Sequence, residues 1–371
     1  MRRGTRKVIL NLVLFSTAVV LLLYINGPSS TRTPKNDAFA WTEIRYVPES
    51  STKISERGKC PGIADTTKPV LVVARTSGEE QQWLDDLKSK YHLCVYTADY
   101  QDPKSNELQT PANRGHESMA YLTFVIDNYD SIPPAIVFVH GSRFAWHNDH
   151  PEYDNAKLLA DLNINAALAD YGYHNLKCDW ATSTCSPNEA LPQGSYETRS
   201  RAILEAWDKR VISDAALPAA FAAIFGGQKQ QHFTSRVHIG RHDAVRAQCC
   251  AQFVVSRESI RQHSRQEYIA LRQWLLDGSD PKKRHPPGVA SADDLVAGRI
   301  ISYLWHILFI RHSRTDDKLS LAALNAAACP SASDCYCRLY GRCGLTCHKP
   351  GRCVGQYRLP PDLKLDPKKS P

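Results

Sequence analysis

The stretch that decides the fold is residues 113–149, NRGHESMAYLTFVIDNYDSIPPAIVFVHGSRFAWHND. Its first half predicts an amphipathic helix over residues 115–129, because apolar side chains recur there at helical spacing on one broad face. Its second half predicts a buried strand over residues 135–139, which is continuously apolar and runs directly into polar, basic and aromatic residues. Sheets of the α/β class build binding sites where their strands end in this way. The stretch therefore predicts an α/β fold with a site at the carboxyl edge of its sheet.

The flanking sequence extends this prediction to a Rossmann-like half sheet. Continuous apolar runs predict strands over residues 70–74 and 93–97, with a helix over 79–90 between them. The order β-α-β-α-β with short joints predicts a parallel, right-handed sheet. The second half of the chain is less regular. We expect a strand within residues 248–256, a helix over 265–276 and one long helix over 293–308.

The N-terminus predicts a membrane anchor. Four basic residues within positions 2–7 precede residues 8–25, which carry no charge. As a helix these 18 residues would be roughly 27 Å long, close to a hydrocarbon core of about 30 Å. A cleaved signal peptide is the alternative. The charge asymmetry predicts a cytosolic N-terminus and a luminal domain, the type II arrangement of an endoplasmic reticulum or Golgi protein.

The predicted organisation has five parts. A cytosolic tail (1–7) and a transmembrane signal anchor (8–25) are followed by a stem or linker rich in Ser, Thr and Pro (26–68). The α/β domain occupies residues 69–310, and a Cys-rich, disulfide-stapled tail occupies residues 311–371. The net charge of +8 owes four of its positive charges to the first seven residues. No basic–aromatic pattern typical of a nucleic-acid module occurs, so we expect no nucleic-acid partner.

The cysteines favour an oxidising compartment. All twelve lie beyond the apolar segment, and their number is even. Six fall within residues 329–353, where the absence of a CxxC pair favours disulfides over a zinc site. Cys178 and Cys185 bracket a short loop, which makes them candidates for pairing with each other.

The ends of the three predicted strands supply candidate ligands for a nucleotide sugar. Arg75 follows the first strand, and Arg143 follows the third; both are candidates for the diphosphate, which guanidinium groups bind through paired donors. Asp99, after the second strand, is a candidate for a ribose hydroxyl or a base edge. Trp146 offers a flat face for a base or sugar, and His147 is a further substrate-binding candidate.

Catalytic and metal candidates lie in the same loop. His140 and Asp149 are candidate bases. Together with His147 they are also candidate ligands for a metal ion such as Mn²⁺, Mg²⁺ or Zn²⁺, because imidazole and carboxylate suit such ions. The alternative is that these polar side chains only hydrogen-bond the backbone of the loop. A hydrolase is disfavoured, because the chain has no G-x-S-x-G nucleophile elbow.

Several motifs, in order, carry a resemblance to a known family. They are AYLTFVIDNYDSIP, VFVHGSRFAWHND, GYHNLKCDW, CCAQFVVSRESI, YLWHILF and SDCYCRLYGRCG, and the match extends over about residues 70–344. This region resembles an uncharacterised, mainly fungal family classed as a domain of unknown function. More distantly it looks like glycosyltransferases of the A-type fold.

The distant resemblance implies a Rossmann-like half that binds a nucleotide sugar and a second half that binds a glycan or glycoprotein acceptor. Enzymes of that type usually place Asp-x-Asp after a central strand to hold Mn²⁺ or Mg²⁺ against the diphosphate. Here the corresponding turn is His140-Gly141-Ser142-Arg143, without a carboxylate until Asp149. The resemblance therefore implies either a transferase with an altered diphosphate site or a luminal module that binds glycans without transfer.

Overall fold

The computed structural model of the 371-residue chain divides into two compact units, Met1–Asp37 and Ala38–Pro371. The first unit contains helix α1, Arg3–Asn26. In the part of the chain that the structure describes, no helix meets the length and apolarity that a membrane crossing requires. Much of the predicted stem lies outside the described residues. The described residues are 3–26, 41, 43–48, 57–100, 102, 105–181, 183–187, 189–226, 239–282, 285, 288–312 and 320–354.

A six-stranded, mostly parallel sheet forms the centre of the second unit, which confirms a mixed α/β fold. The strand order is β3-β2-β1-β4-β6-β5; neighbours from β3 to β4 run parallel, and β6 runs antiparallel to both β4 and β5. The strands are β1 (Val70–Arg75), β2 (His92–Thr97), β3 (Leu108–Gln109), β4 (Ala135–His140), β5 (Tyr173–Asn175) and β6 (Phe253–Ser256).

Strand order reverses between β1 and β4. After β3 the chain crosses through helix α2 (Glu117–Asp127) and adds β4 on the other side of β1, pairing Ala74 with His140. Such a reversal leaves a crevice at the carboxyl ends of the two strands, which is where open α/β sheets bind ligands. The predicted site residues that directly follow β1 and β4 therefore start from the edge of the sheet where the topology favours a site.

The remaining helices surround this sheet. Between β4 and β6 lie α3 (Asn155–Asp161), α4 (Ile164–Leu168), α5 (Tyr196–Leu204) and α6 (Lys209–Gly226). After β6 come α7 (Arg257–Ile260), α8 (Arg265–Asp277), α9 (Asp294–Ser302), α10 (Trp305–Phe309), α11 (Leu321–Ala328) and α12 (Ala332–Tyr340). A hairpin of β7 (Thr346–Lys349) and β8 (Arg352–Val354) ends the described chain.

Three predicted elements differ from the structure. The helix expected over residues 79–90 is a 3-10 helix, Gln82–Leu87. The single helix expected over 293–308 is interrupted between α9 and α10, where Tyr303 and Leu304 donate to carbonyls three residues back rather than four. The strand expected within 248–256 begins only at Phe253, because residues 249 and 250 form a disulfide with each other and leave extended geometry.

Each face of the sheet is covered by its own apolar cluster. On one face α2, α8 and α10 contribute aromatic side chains; the ring centroids of Phe124 and Phe138 lie 5.7 Å apart, and those of Phe253 and Trp305 lie 5.5 Å apart. On the other face Trp83 and Tyr336 are both buried in a cluster with side chains of β1, β4 and α3. Helix α12, from the predicted tail, is thus part of the core.

Six disulfides join all twelve cysteines, which confirms the disulfide prediction. The suggested Cys178–Cys185 pair is wrong: each binds the tail instead, and these two bonds attach α12 and the end of α11 to the loop after β5. The pairs are Cys60–Cys94, Cys178–Cys335, Cys185–Cys329, Cys249–Cys250, Cys337–Cys343 and Cys347–Cys353.

Candidate functional site

The turn after β4 is packed tightly against the end of β1. A Cβ on Gly141 would lie 2.4 Å from the Cβ of Arg75, so only glycine fits between the two strand ends. Trp83 Nε1 donates to the Gly141 carbonyl at 3.1 Å, and Ser142 Oγ donates to a carboxylate oxygen of Glu79. The crevice between β1 and β4 is therefore filled at this level by protein side chains.

His140 points toward the second half of the molecule. Its Nε2 donates to the Cys250 carbonyl at 2.5 Å, and its Nδ1 lies 3.9 Å from Glu117 Oε2 at the start of α2. Its backbone N–H donates to Gln252 Oε1 at 3.4 Å. The side chain is one-fifth exposed. His140 thus links the end of β4 to the start of α2 and to the loop before β6.

His147 packs beside His140. The two ring centroids are 4.7 Å apart, and Trp146 lies 5.3 Å from His147 on its other side. Burial, reinforced by the positive charges of His140 and Lys177, lowers the pKa of His147 to about 3. At neutral pH His147 is therefore an uncharged imidazole, with an Nε2 that has no hydrogen-bond partner among the described residues.

Asp149 is enclosed by its own hydrogen bonds. Oδ2 accepts from the backbone N–H groups of Cys178 and Asp179 at 2.6 and 3.2 Å, and Oδ1 accepts from the Tyr336 hydroxyl at 2.8 Å. The residue is 1% exposed. This arrangement holds the Cys178 loop to α12, so the structure gives Asp149 an architectural place rather than an open catalytic one.

Arg143 is committed to an ion pair. Its Nε and Nη2 donate to the two carboxylate oxygens of Asp154 at 3.0 and 2.8 Å, and Asp154 also caps helix α3 through the N–H of Ala156. Burial opposes ionisation of Asp154, but the bonds from Arg143 and the cap keep its pKa below the ordinary value. The fork predicted to bind a diphosphate thus binds a carboxylate of the same chain.

Arg75 and Asp99 stabilise the ends of their strands. Arg75 donates to Thr97 Oγ1 at 3.2 Å and to the Glu79 carbonyl at 2.8 Å. Asp99 accepts from the backbone N–H and the hydroxyl of Ser77 at 2.7 and 2.8 Å. Although desolvation works against it, these bonds lower the pKa of Asp99. The structure does not bring Arg75, Asp99, Arg143 and Asp149 into one cleft.

Among the described residues, an open cleft lies on the side of His140 away from the filled β1–β4 crevice. It is bounded by the start of α2, the loops after β4 and β5, and helices α6 and α9. Its volume is about 720 Å³, within the range of small-molecule sites. Trp146, predicted from the sequence, lines it and is 61% exposed. Its lining also includes Glu117, Lys177, Asp179, Trp180, Lys209, Arg210, Cys249, Cys250, Arg299 and Arg352.

The cleft carries an excess of positive charge that the sequence did not reveal. Lysine or arginine side chains line it at five positions and carboxylates at two, and two of these cations, Lys209 and Arg210, also face Asp293 and Asp208 at 2.7 and 3.6 Å. The cations come from the loop after β5, the start of α6, α9 and strand β8, so no single stretch of sequence contains the cluster. They are Lys177, Lys209, Arg210, Arg299 and Arg352, against Glu117 and Asp179.

The described residues do not include a set of ligands that matches the predicted metal site. Among the described residues, three possible ligand atoms lie within 4.8 Å of one another at Cys60, His92 and Cys94 alone. Two of those residues are joined in a disulfide. His140, His147 and Asp149 do not reach that spacing, because the carboxylate of Asp149 is turned toward Cys178 and Tyr336. As a set they do not fit a metal ion.

Comparison with known proteins identifies the family but no activity. No curated protein and no solved structure matches the chain. The distant likeness to A-type glycosyltransferases therefore stays a prediction. A family described as "Protein of unknown function (DUF3431)" matches residues 71–338, which include the whole sheet except the first residue of β1 and reach into α12. The chain belongs to this family.

Proposed function

We propose that the cleft binds a nucleotide sugar and that the protein transfers its sugar to a hydroxyl of a glycan or glycoprotein. The cluster of five cations beside an exposed tryptophan is the observation that carries this proposal. Guanidinium and ammonium groups bind diphosphate oxygens, and an indole face binds a base or a sugar ring. The cleft also lies close to the end of β4, because its lining residues Glu117 and Cys250 both contact His140.

The proposed roles differ from those predicted by sequence. Arg210, Arg299 and Arg352 replace Arg75 and Arg143 as the groups that stabilise the leaving diphosphate. Glu117 replaces Asp149 as the proton acceptor, because it lines the cleft and lies 3.9 Å from His140. His140 takes a positioning role in place of the catalytic one predicted from sequence, since its Nε2 is held by the Cys250 carbonyl.

The proposed reaction is a direct displacement. The acceptor hydroxyl oxygen forms a bond to the anomeric carbon while the bond from that carbon to the diphosphate oxygen breaks. The hydroxyl proton passes to the Glu117 carboxylate. The negative charge that develops on the diphosphate is stabilised by the arginines. No step of this scheme uses Arg143, Asp149 or Asp154, which hold the loops after β4 and β5 and cap helix α3.

A binding measurement tests the site. We expect a nucleotide sugar to raise the melting temperature, and Arg210→Ala or Arg299→Ala to weaken its binding by about tenfold, the loss of one charge-assisted contact. Arg143→Ala is the matched control, because Arg143, like Arg210, lies beside a carboxylate of its own chain but is outside the cleft lining. The panel includes Mn²⁺ and Mg²⁺ with each donor. Absence of any shift with every donor, or equal binding by all three variants, contradicts the proposal.

A luminal glycan-binding module without transfer is the second candidate. The structure favours it in one respect, because Asp149 is fully engaged and no Asp-x-Asp carboxylates follow β4. Glu117→Gln separates the two functions. In a transferase, this variant retains donor binding and loses turnover. In a binding module, neither the parent nor the variant turns over a donor, and the substitution leaves binding unchanged. Anionic glycans that bind without any nucleotide sugar binding would favour the module.

We also propose that the protein is a single-pass type II membrane protein with its domain in the lumen of the endoplasmic reticulum or Golgi. The uncharged segment 8–25 and the six disulfides support this location. Protease added to intact microsomes should spare the domain, and detergent should expose it. Carbonate extraction distinguishes a retained anchor from a cleaved signal peptide. Digestion of the domain without detergent contradicts the topology.

A further inference from the structure

The Cys249–Cys250 disulfide joins neighbouring residues, and both of these residues line the cleft. They are half-buried rather than enclosed by the core. The other described walls of the cleft include the indoles of Trp146 and Trp180. A ligand in the cleft therefore meets the disulfide directly. This position distinguishes it from the other five disulfides, whose cysteines are not among the lining residues.

The backbone here has an unusual conformation. Cys250 has φ of 83° and Ala251 has φ of 43°. Two successive residues with side chains are thus in the left-handed region, which L-residues other than glycine rarely adopt. The covalent ring between adjacent cysteines restricts the intervening peptide and limits the alternatives open to Cys250. When that ring opens, ordinary negative φ values become accessible again.

The two glutamines that flank this segment connect it to the remaining walls of the site. Gln248 Oε1 accepts from the N–H of Ala181 in the loop after β5 at 3.1 Å. Gln252 Nε2 donates to Asn148 at 3.0 Å, and Gln252 Oε1 accepts from the side chain of Asn155 at 3.0 Å. The backbone between these glutamines therefore sets the distance between the loops after β4 and β5.

The same segment also holds His140. The Cys250 carbonyl accepts the 2.5 Å hydrogen bond from His140 Nε2, and His140 in turn lies 3.9 Å from Glu117. The direction of the Cys250 carbonyl depends on the backbone dihedrals at Cys250. A change of sign in φ would turn this carbonyl away from His140 and would displace the cleft wall at the same position.

From these contacts we propose that the Cys249–Cys250 disulfide sets the ligand-binding shape of the cleft, so that the oxidised protein binds its anionic ligand and the reduced protein releases it. This inference rests on the proposed function of the cleft. The oxidation state of the Cys249–Cys250 pair then controls the affinity of the cleft reversibly. The class of molecule that changes this state is a dithiol reductant.

The redox step is a thiol–disulfide exchange. A thiolate of the dithiol attacks one cysteine sulfur, the Cys249–Cys250 bond breaks, and a mixed disulfide forms. The second thiolate of the dithiol then displaces that cysteine. Cys249 and Cys250 gain two electrons and two protons to become thiols, and the dithiol is oxidised to its own disulfide.

Binding of UDP and GDP by the full-length protein tests the proposal. Dithiothreitol is titrated, and alkylation with peptide mass spectrometry defines the range in which Cys249 and Cys250 are reduced. We expect binding to weaken by about tenfold in that range, the effect of losing an aligned contact. Cys249→Ser with Cys250→Ser should bind as weakly without reductant and should not respond further to it.

A second disulfide provides the control. Cys337→Ser with Cys343→Ser removes another short-range disulfide, which lies outside the cleft lining. This variant should bind as tightly as the parent and stay sensitive to reductant. If the Cys249–Cys250 variant binds the nucleotide as tightly as the parent, the inference fails while the proposed function stands.

Hydrogen exchange provides a readout that needs no ligand. Amides of residues 248–252 should exchange faster in the Cys249–Cys250 variant than in the parent, whereas the Cys337–Cys343 variant should match the parent there. If neither nucleotide binds the oxidised protein, the proposed function fails for donors built on UDP and GDP, and hydrogen exchange still tests the role of the disulfide. Unchanged exchange over residues 248–252 overturns the inference.

Discussion

At the scale of single residues, the polar side chains after β4 divide into those that hold the loop and those that face the cleft. Arg143 donates through two nitrogens to the two carboxylate oxygens of Asp154, and Asp149 accepts from two backbone N–H groups through one oxygen. Trp146 is exposed in the cleft. His140 lies between the two groups, because it contacts both a backbone carbonyl and the cleft residue Glu117. Residue type alone does not distinguish these roles.

Asp149→Ala tests the architectural role of that carboxylate. The substitution leaves the N–H groups of Cys178 and Asp179 and the Tyr336 hydroxyl without their acceptor. We expect a loss of about 3 kcal/mol in the free energy of unfolding, with ligand affinity unchanged in the protein that remains folded. Urea denaturation and calorimetric titration measure the two quantities. A variant of normal stability that has lost activity would instead support the catalytic role predicted from sequence.

His306→Leu tests a buried histidine in α10. Neither ring nitrogen has a partner among the described residues, and burial lowers the pKa of His306 to about 3. The unfolded chain binds a proton near pH 6.5, whereas the folded one does not until about pH 3. Stability therefore falls as the pH drops between these values. The leucine variant should be about 1 kcal/mol more stable at neutral pH and should lose less stability on acidification.

Urea midpoints measured from pH 7 to pH 4 provide the test for His306. His147 has the same depressed pKa and stays in both proteins, so part of the acid sensitivity should persist in the variant. An identical pH slope in the two proteins would mean that His306 is not buried in its neutral form.

At the scale of elements, the tail is attached to the sheet by covalent and apolar contacts together. Cys185–Cys329 and Cys178–Cys335 close loops of 144 and 157 residues in sequence separation. Tyr336 and Leu339 of α12 are fully buried beneath them. The sequence analysis set residues 311–371 apart as a Cys-rich, disulfide-stapled tail. The structure places residues 320–354 in the same compact unit as the sheet.

Cys185→Ser with Cys329→Ser measures the covalent part of this attachment. Because Cys178–Cys335 stays in place, this bond closes a ring that runs through residues 178–185 and 329–335. Its removal should lower the free energy of unfolding by about 3 kcal/mol, since the unfolded chain gains entropy. The Cys337–Cys343 pair, with a sequence separation of 6, is the comparison and should cost less. Chelators should leave the parent unaffected. Destabilisation by a chelator, or equal losses in the two variants, would contradict this account.

At the scale of the whole molecule, the second unit should fold only with its tail present. Truncation after Ile310 removes α12, whose side chains complete the apolar cluster beneath β1 and β4. It also leaves Cys178 and Cys185 without partners. We expect this shortened protein to be insoluble or to bind a hydrophobic dye, whereas a chain that ends after residue 354 should give a cooperative thermal transition. A soluble, cooperatively folding chain that ends at Ile310 would show that the tail is dispensable.

The sequence by itself determined the parallel core of this protein. Runs of apolar residues long enough to be buried on both faces specify β1, β2 and β4, and the helical period specifies α2, because these signals are local. The sequence also specified an oxidised chain through its cysteine number. It placed Trp146 in the loop that lines the cleft.

Only the tertiary structure decided which polar residues are available to a ligand. Arg143 is occupied because Asp154 follows eleven residues later at the start of α3, and Asp149 is occupied by loops and a helix from distant parts of the chain. The cationic lining arises the same way, from segments separated by up to 175 residues between Lys177 and Arg352. Hydrogen bonding and charge clustering across such distances depend on packing, which no local pattern encodes.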